Sequence, residues 1–572
     1  MNRYLDDMDD TELSTSSAVV PRTYPIPSVI EDLSLWPIYK MYQDKEAFMQ
    51  QVQDFTAARI LQQRKGGQLS DKIASVLFNE RARIIENPWK VDPPDEMDFW
   101  SDTRKRLLKG YKNDQLSEIE IEAYYKEVLD RIIQRYVREI TGNFRISTYK
   151  LARKVLPMLF SAILNTTTLR RSKLTEKLRI AGAIDEMRSL VTKGTVVLVP
   201  THFSNLDSIL IGWAADRVGM AAFSYGAGLN LYNSKIMAYF FGRLGAYTLD
   251  RRKKNDFYLE SLKSFSQLSI ERGVHTLFFP GGTRSRSGHL ESKVKLGLLG
   301  TAIDAQNAVY ERGEENKIYI IPVVLNYHFV LEAKSLIEQY LKYTGKELYL
   351  AESNGFGGFW KILKFLRQFV SNSSEIIVNF GKPMDVMGNF VDKEGNSLDK
   401  TNRHVDVKEY FISNKELKYD RQRNEVYTKQ LAAKIVERYY VENIVLSSHL
   451  VAFTAFNIIR KRFSNLDLYA ALRLPREDRT IPKELLYKNL KKLIAELQNL
   501  SGQGLLQISD SVLHLPIEEL VQHGIENVGA FHIKKPLMVN KEGDFESQDL
   551  KLLYYYHNRM EGYELSKYIE TT

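Results

Sequence analysis

The chain has 572 residues, with 80 Lys+Arg against 71 Asp+Glu and a formal charge of +9 at pH 7. At roughly 150 residues per domain this length suggests two to four units, and hydrophobic and charged fractions of 44% and 26% exclude wholesale disorder. Cysteine is absent, which excludes disulfides, thiol nucleophiles and every cysteine-held zinc or iron–sulfur site.

Residues 1–22 read as a disordered lead-in, with Asp6, Asp7, Asp9 and Asp10 followed by Ser and Thr. They are acidic and polar, unlike a secretory signal. A helical N-terminal domain is expected over 23–190. Within it, residues 149–164 place cations ahead of an apolar run interrupted by Pro157. That pattern fits a kinked core helix better than it fits a helix lying among lipid headgroups. From 191 to 388 the pattern turns to α/β. Short apolar, β-branched runs at 195–201, 276–279, 318–326 and 375–380 alternate with helical stretches. This implies a mixed, largely parallel central sheet flanked by helices. Residues 389–423 read as a polar linker or excursion, and 424–572 as a mainly helical C-terminal region. No run reaches the about 20 apolar residues of a spanning helix. The expectation is a cytoplasmic protein, soluble or peripheral on the inner face of a membrane, with 149–164, 360–370 and 451–459 as amphipathic or apolar contacts.

Four segments of the α/β region carry chemistry. The first strand ends in Pro200-Thr201-His202-Phe203-Ser204-Asn205-Leu206-Asp207. A histidine at a strand mouth can take a proton near neutral pH, and a carboxylate on its other nitrogen would fix the tautomer. A purely structural cap accounts for the same spacing. The second segment, Gly245–Lys254, ends in four cations. Arg252, Lys253 and Lys254 fit a solvated face, while Arg251, after an apolar step and Asp250, is better placed to point inward at an anion. The third, Phe279-Pro280-Gly281-Gly282-Thr283-Arg284-Ser285-Arg286-Ser287-Gly288, combines glycines, hydroxyls and two arginines. Such a loop lets exposed N–H groups cradle an anion and guanidinium groups grip phosphate. Lys295 follows at the start of a helix. The fourth is the apolar strand around Pro322, whose proline suits an edge or a bulge.

Taken in order, these four segments resemble the blocks of the glycerophospholipid acyltransferase superfamily, which pairs a His-x-x-x-x-Asp block with a Gly/aromatic/Arg block, a Phe-Pro-Glu-Gly-Thr-Arg-Ser-type block and an apolar-Pro strand. Residues 326–332 and 378–383, together with the Leu553-Tyr554-Tyr555-Tyr556-His557-Asn558 run, look like the branch acting on glycerol 3-phosphate or dihydroxyacetone phosphate. The resemblance implies transfer of a fatty acyl group from acyl-CoA or acyl carrier protein to glycerol 3-phosphate, without a cofactor. It implies His202 as general base and Asp207 as its orienting carboxylate, with N–H groups near the following helix start steadying the oxyanion. Arg251, Gly282, Thr283, Arg284, Ser285, Arg286, Lys295 and Pro322 would bind substrate. One departure stands out: Gly281 occupies the place of the family glutamate. It leaves open acylation of 1-acylglycerol 3-phosphate or dihydroxyacetone phosphate, or a weakly active lipid-binding relative. Asp250 and Glu291 are the nearby acids that would compensate.

The other histidines lack metal-ligand spacing, so no metal is expected. His289 stands beside the arginine loop. No aromatic-interleaved basic stripe points to nucleic acid, and the remaining positive charge suits an anionic membrane surface.

Overall fold

The computed structural model describes residues 24–62, 69–111, 117–165, 178–233, 235–344, 375–530 and 532–572. Segments 1–22 and 360–370 therefore lie outside the described residues. The central sheet has seven strands: β1 (Leu178–Gly182), β2 (Gly194–Pro200), β3 (Ser224–Gly228), β4 (Ala246–Leu249), β5 (Thr276–Leu277), β6 (Lys317–Tyr327) and β7 (Ile376–Phe380). Their spatial order is β1-β7-β6-β2-β5-β3-β4. All neighbours are parallel except β6 and β7, so β1 and β7 run against the other five.

The run Thr-Val-Val-Leu-Val-Pro in β2 is buried throughout, which suits a strand covered on both faces. It sits at the centre of the sheet, paired with β6 from Gly194↔Lys317 to Pro200↔Val323. Because β2 to β6 are parallel, their C-terminal ends share one edge, and loops leaving that edge are the usual site of chemistry in open α/β sheets. Pro322 lies inside this central strand, contrary to the edge position its missing N–H suggests. It is accommodated where the ladder with β7 stops: its carbonyl accepts Gly381 N–H at 2.8 Å, and β6 next pairs outward through Met384 and Ile320.

β1 arises within the segment read as helical, and β3 has the sequence Ser-Tyr-Gly-Ala-Gly. Neither carries the β-branched density that marks a strand in sequence. Residues 389–423 are not bare linker. They form short ladders at Phe390–Val391, Ser397–Leu398 and His404–Val405, and a hairpin pairing Ile412–Ser413 with Glu416–Leu417.

Helices Lys45–Gln62, Leu69–Glu86, Glu96–Tyr111 and Glu118–Ile140 build an N-terminal layer. Its core, including Phe48, Val52, Ile132 and Tyr136, is shared with Phe257 and Phe265 of helix Asp256–Glu271. A buried ionic cluster seals this junction and corrects the reading of the cation run. Arg252 pairs with Asp92 and with Asp250 (2.7 Å), Lys253 pairs with Glu139, and Arg83 joins Glu80 (2.7 Å) and Glu96. Arg252 and Lys253 are the cations that turn inward, because carboxylates of the N-terminal layer meet them there. Arg251 is exposed. Asp250 is thereby committed to Arg252 and does not compensate for Gly281.

In the C-terminal region the apolar run of helix Ser447–Arg462 is core: Val451, Ala452, Phe453, Ala455, Ile458 and Ile459 are all at most 1% exposed. It packs on helices Lys483–Gly502, Ile517–Val528 and Leu550–His557. This removes 451–459 as a membrane contact. The three cations behind it serve carbonyls, with Arg460, Lys461 and Arg462 donating to Phe463, Ile569 and Thr480 at 2.8, 2.8 and 2.9 Å. One continuous apolar core joins the sheet to these helices.

Candidate active site

The chain leaves β2 through His202, turns, and enters helix Asp207–Arg217. The turn folds Asp207 back beneath the histidine, and its Oδ2 accepts three N–H groups: His202 Nδ1–H at 2.7 Å, Phe203 at 2.7 Å and Ser204 at 2.9 Å. Its Oδ1 accepts the phenol of Tyr327, from the end of β6. Asp207 is fully buried, so these four donors replace the water that an ionised carboxylate needs. With Nδ1–H committed, a neutral His202 carries its lone pair on Nε2. Phe279 stacks on the ring at 4.1 Å between centroids, which leaves the imidazole little freedom to turn. Burial and the Asp207 charge push the Tyr327 phenol well above its ordinary range, so it stays a donor.

The loop after β5 is fastened directly to this histidine. Ser285 N–H donates to the His202 carbonyl at 2.7 Å, and His202 N–H donates to Glu291 Oε1 at 2.8 Å. Gly282 N–H turns back to the Phe279 carbonyl at 2.9 Å. The expected cradle of N–H groups is therefore reduced, since those of Gly282 and Ser285 are spent within the protein. Gly282 itself is required by its φ of +75°, and a Cβ there would also displace the end of the exposed Lys295 side chain, 2.7 Å away. Lys295 is exposed and its N–H holds the Pro280 carbonyl at 2.7 Å. Thr283 is exposed and Arg286 half-buried. Ser285 Oγ donates to the His289 carbonyl at 2.8 Å. The His289 ring faces Ser287 Oγ at 2.8 Å, and burial lowers its pKa to about 4. It is therefore neutral at pH 7 and offers phosphate no charge.

Glu332, beyond the end of β6, draws two segments together. It accepts Ser204 Oγ–H at 3.0 Å, Asn205 N–H at 3.1 Å and Arg284 at 3.3 Å. With Phe203, Ser204 and Asn205 so engaged, and Leu206 N–H donating to Ser204 Oγ at 3.3 Å, the N–H groups expected to steady an oxyanion at this turn are already occupied. Arg251 follows β4, three strand spacings from β2, a separation of about 14 Å at the level of the strands. Pro322 is held in the ladder, as described above. Sequence reasoning missed Tyr327, Glu332, Phe279 and Arg559 as parts of this constellation. Arg559 is buried over Phe203 at 4.2 Å and donates to the Leu325 carbonyl, Asn326 Oδ1 and Asn443 Oδ1. No local signal marks it, because its partners lie more than a hundred residues away.

Residues 183–326 match the family model described as Acyltransferase. That span holds β2 to β6, the His202–Asp207 turn and the arginine loop. Over those residues the α/β unit matches an acyltransferase domain, and the matches support the glycerophospholipid acyltransferase superfamily. Similar proteins include the glycerol-3-phosphate acyltransferase of Pseudoalteromonas atlantica, 26% identical over 263 residues, covering 46% of this chain and 29% of the relative. That of Shewanella woodyi is 27% identical over 320 residues, covering 55% and 35%, and that of Aeromonas hydrophila is 29% identical over 260 residues, covering 45% and 29%. The match thus spans about a third of the length of these curated relatives. Among the described residues, no group of three His, Asp or Glu side chains is arranged to hold a metal ion, and no helix is long and apolar enough to cross a membrane.

Proposed function

We propose that this acyltransferase moves a fatty acyl group from an acyl thioester, acyl-CoA or acyl carrier protein, to the hydroxyl of glycerol 3-phosphate. The observation that carries the reading is the His202–Asp207 pair at the C-terminal edge of the sheet, tied through Ser285 and Glu291 to a loop bearing Arg284 and Arg286. His202 Nε2 takes the acceptor proton as its oxygen attacks the thioester carbonyl. The new C–O bond forms, the tetrahedral intermediate collapses with loss of the C–S bond, and the imidazolium returns the proton to the departing thiolate. Asp207, beside Nδ1, stabilises the imidazolium in between. No covalent acyl-enzyme is needed. Arg284 and Arg286, with Lys295 at the mouth, hold the acceptor phosphate through guanidinium and ammonium contacts. Arg251, further along the edge, suits the phosphates of a larger donor or the membrane.

Attachment to an anionic membrane surface belongs to the same reading. Helix Ile146–Asn165 exposes Leu151 and Val155 at 47% and 40% beside exposed Lys150 and Lys154, a pairing of apolar and basic groups that suits a lipid interface. The decisive experiment incubates the purified full chain with acyl-CoA and acyl carrier protein donors and with glycerol 3-phosphate, dihydroxyacetone phosphate and 1-acylglycerol 3-phosphate, reading products by mass spectrometry. Acylated glycerol 3-phosphate that disappears in His202→Ala is the expected result. Product formed equally by that variant overturns the assignment of the base, and product from another acceptor alone reassigns the substrate.

A further inference from the structure

Gly281 lies in the arginine loop with a backbone that does not call for glycine, since its φ is outside the left-handed region. Space explains it. A Cβ built there would stand 3.1 Å from Glu291 Cγ and 3.2 Å from its Oε1. The carboxyl of Glu291 thus fills the volume into which a side chain at 281 would grow. One oxygen is in use, accepting His202 N–H at 2.8 Å. The other, Oε2, is shut from solvent and has no hydrogen-bond partner among the described residues.

We infer that Glu291 is a positioning residue for His202 and that Gly281 and Glu291 form a coupled pair, one carboxyl-filled space reachable from either position. The inference rests on the functional reading above. Its mechanism is mechanical and electrostatic. His202 is held at its carbonyl by Ser285 and at its N–H by Glu291, so the loop that receives the acceptor and the strand end that carries the base move as one piece. Groups facing the carboxyl are His202 and Asp207 from the turn after β2, Tyr439 and Tyr440 from helix Arg421–Val441, and Arg559 from the C-terminal region. Burial pushes the Glu291 carboxyl up to about 7, with the His202 N–H, Arg559 and its own backbone opposing.

The test is a double-mutant cycle in the full chain: wild type, Gly281→Glu, Glu291→Gly and the double exchange. Each single variant should lose about tenfold or more in kcat, one by crowding two carboxyls and the other by releasing His202, with KM for glycerol 3-phosphate within about twofold. The double exchange should return to within about threefold of wild type. A double variant no better than the worse single overturns the coupling. Glu291→Gln keeps an acceptor for His202 N–H and should fall no more than about threefold; a loss equal to that of Glu291→Gly overturns the positioning role and carries the test if the glycine variant does not fold. The His202 imidazole resonances provide a readout independent of turnover, shifting in Glu291→Gly and returning in the double exchange. A wild type without turnover defeats the functional reading alone, and those resonances then decide the pair.

Discussion

Asp207→Asn isolates charge from geometry at the proposed base, His202. Three N–H groups converge on Oδ2 and one hydroxyl on Oδ1. An asparagine can satisfy them only with its carbonyl oxygen at the Oδ2 position and its amide turned to Tyr327, whose hydroxyl then rotates to accept. The opposite flip sets an amide N–H₂ against three N–H donors. The variant therefore keeps the fold, with a loss of about 1–3 kcal/mol in stability as charge-assisted bonds become neutral ones. Catalysis suffers more, because the imidazolium that forms on His202 no longer faces an anion 2.7 Å away. A fall of about 10²–10⁴-fold in kcat is expected, the range for losing a base or the carboxylate that supports it. The assay is release of free thiol from acyl-CoA in the presence of glycerol 3-phosphate, with thermal unfolding followed in parallel. Asp207→Ala is less informative, since it strands all four donors in a buried site. An Asp207→Asn enzyme that unfolds normally and retains kcat within about twofold would refute the role given to this carboxylate.

Four further outcomes follow from particular contacts. Tyr327→Phe removes the Oδ1 donor and should cost about 1–3 kcal/mol in urea unfolding together with about tenfold in kcat; unchanged kinetics would detach Tyr327 from the site. Gly282→Ala forces a side chain onto φ +75° and into the Lys295 stem, so KM for the acceptor should rise and stability fall by more than about 1 kcal/mol; wild-type values in both would show that the loop relaxes freely. Lys253→Met takes one cation from a buried cluster in which Glu139 keeps Arg135 and Glu96 keeps Arg83 and Arg135 and should cost about 1–3 kcal/mol, read from the shift of the urea midpoint, and a midpoint that does not move would make Lys253 dispensable. Burial raises the Glu291 carboxyl to about 7 from its ordinary 4.5, so the folded state binds a proton the unfolded state has lost between those two pH values. Stability contributed there is full below about 4.5 and falls as pH rises towards 7, by about 3 kcal/mol at most. Glu291→Gln should flatten that slope in thermal unfolding run from pH 4.5 to 8, and an unchanged slope would place the titration elsewhere.

Some of this molecule is legible in one dimension. The buried run of β2, the histidine at its mouth and the aspartate opening the next helix follow from composition and spacing, because burial on both faces demands apolar residues and a tight turn returns a residue five positions on. The arginine loop after β5 is equally local. The glycine-rich β3 and the short β1 escaped notice, since their place in the sheet depends on neighbours more than on their own side chains.

Which group meets which donor was decided only by tertiary structure. The turn N–H groups suit an oxyanion until Asp207 and Glu332 are seen to occupy them. Arg251 reads as the inward cation until carboxylates of the N-terminal layer, more than a hundred residues earlier, draw Arg252 and Lys253 inward instead. Gly281 reads as a missing carboxyl until Glu291 is found filling its space. The reason is common to all three. Sequence encodes the local cost of burying or bending a residue, whereas satisfaction of a buried polar group is settled by whichever chain segment the sheet order brings beside it.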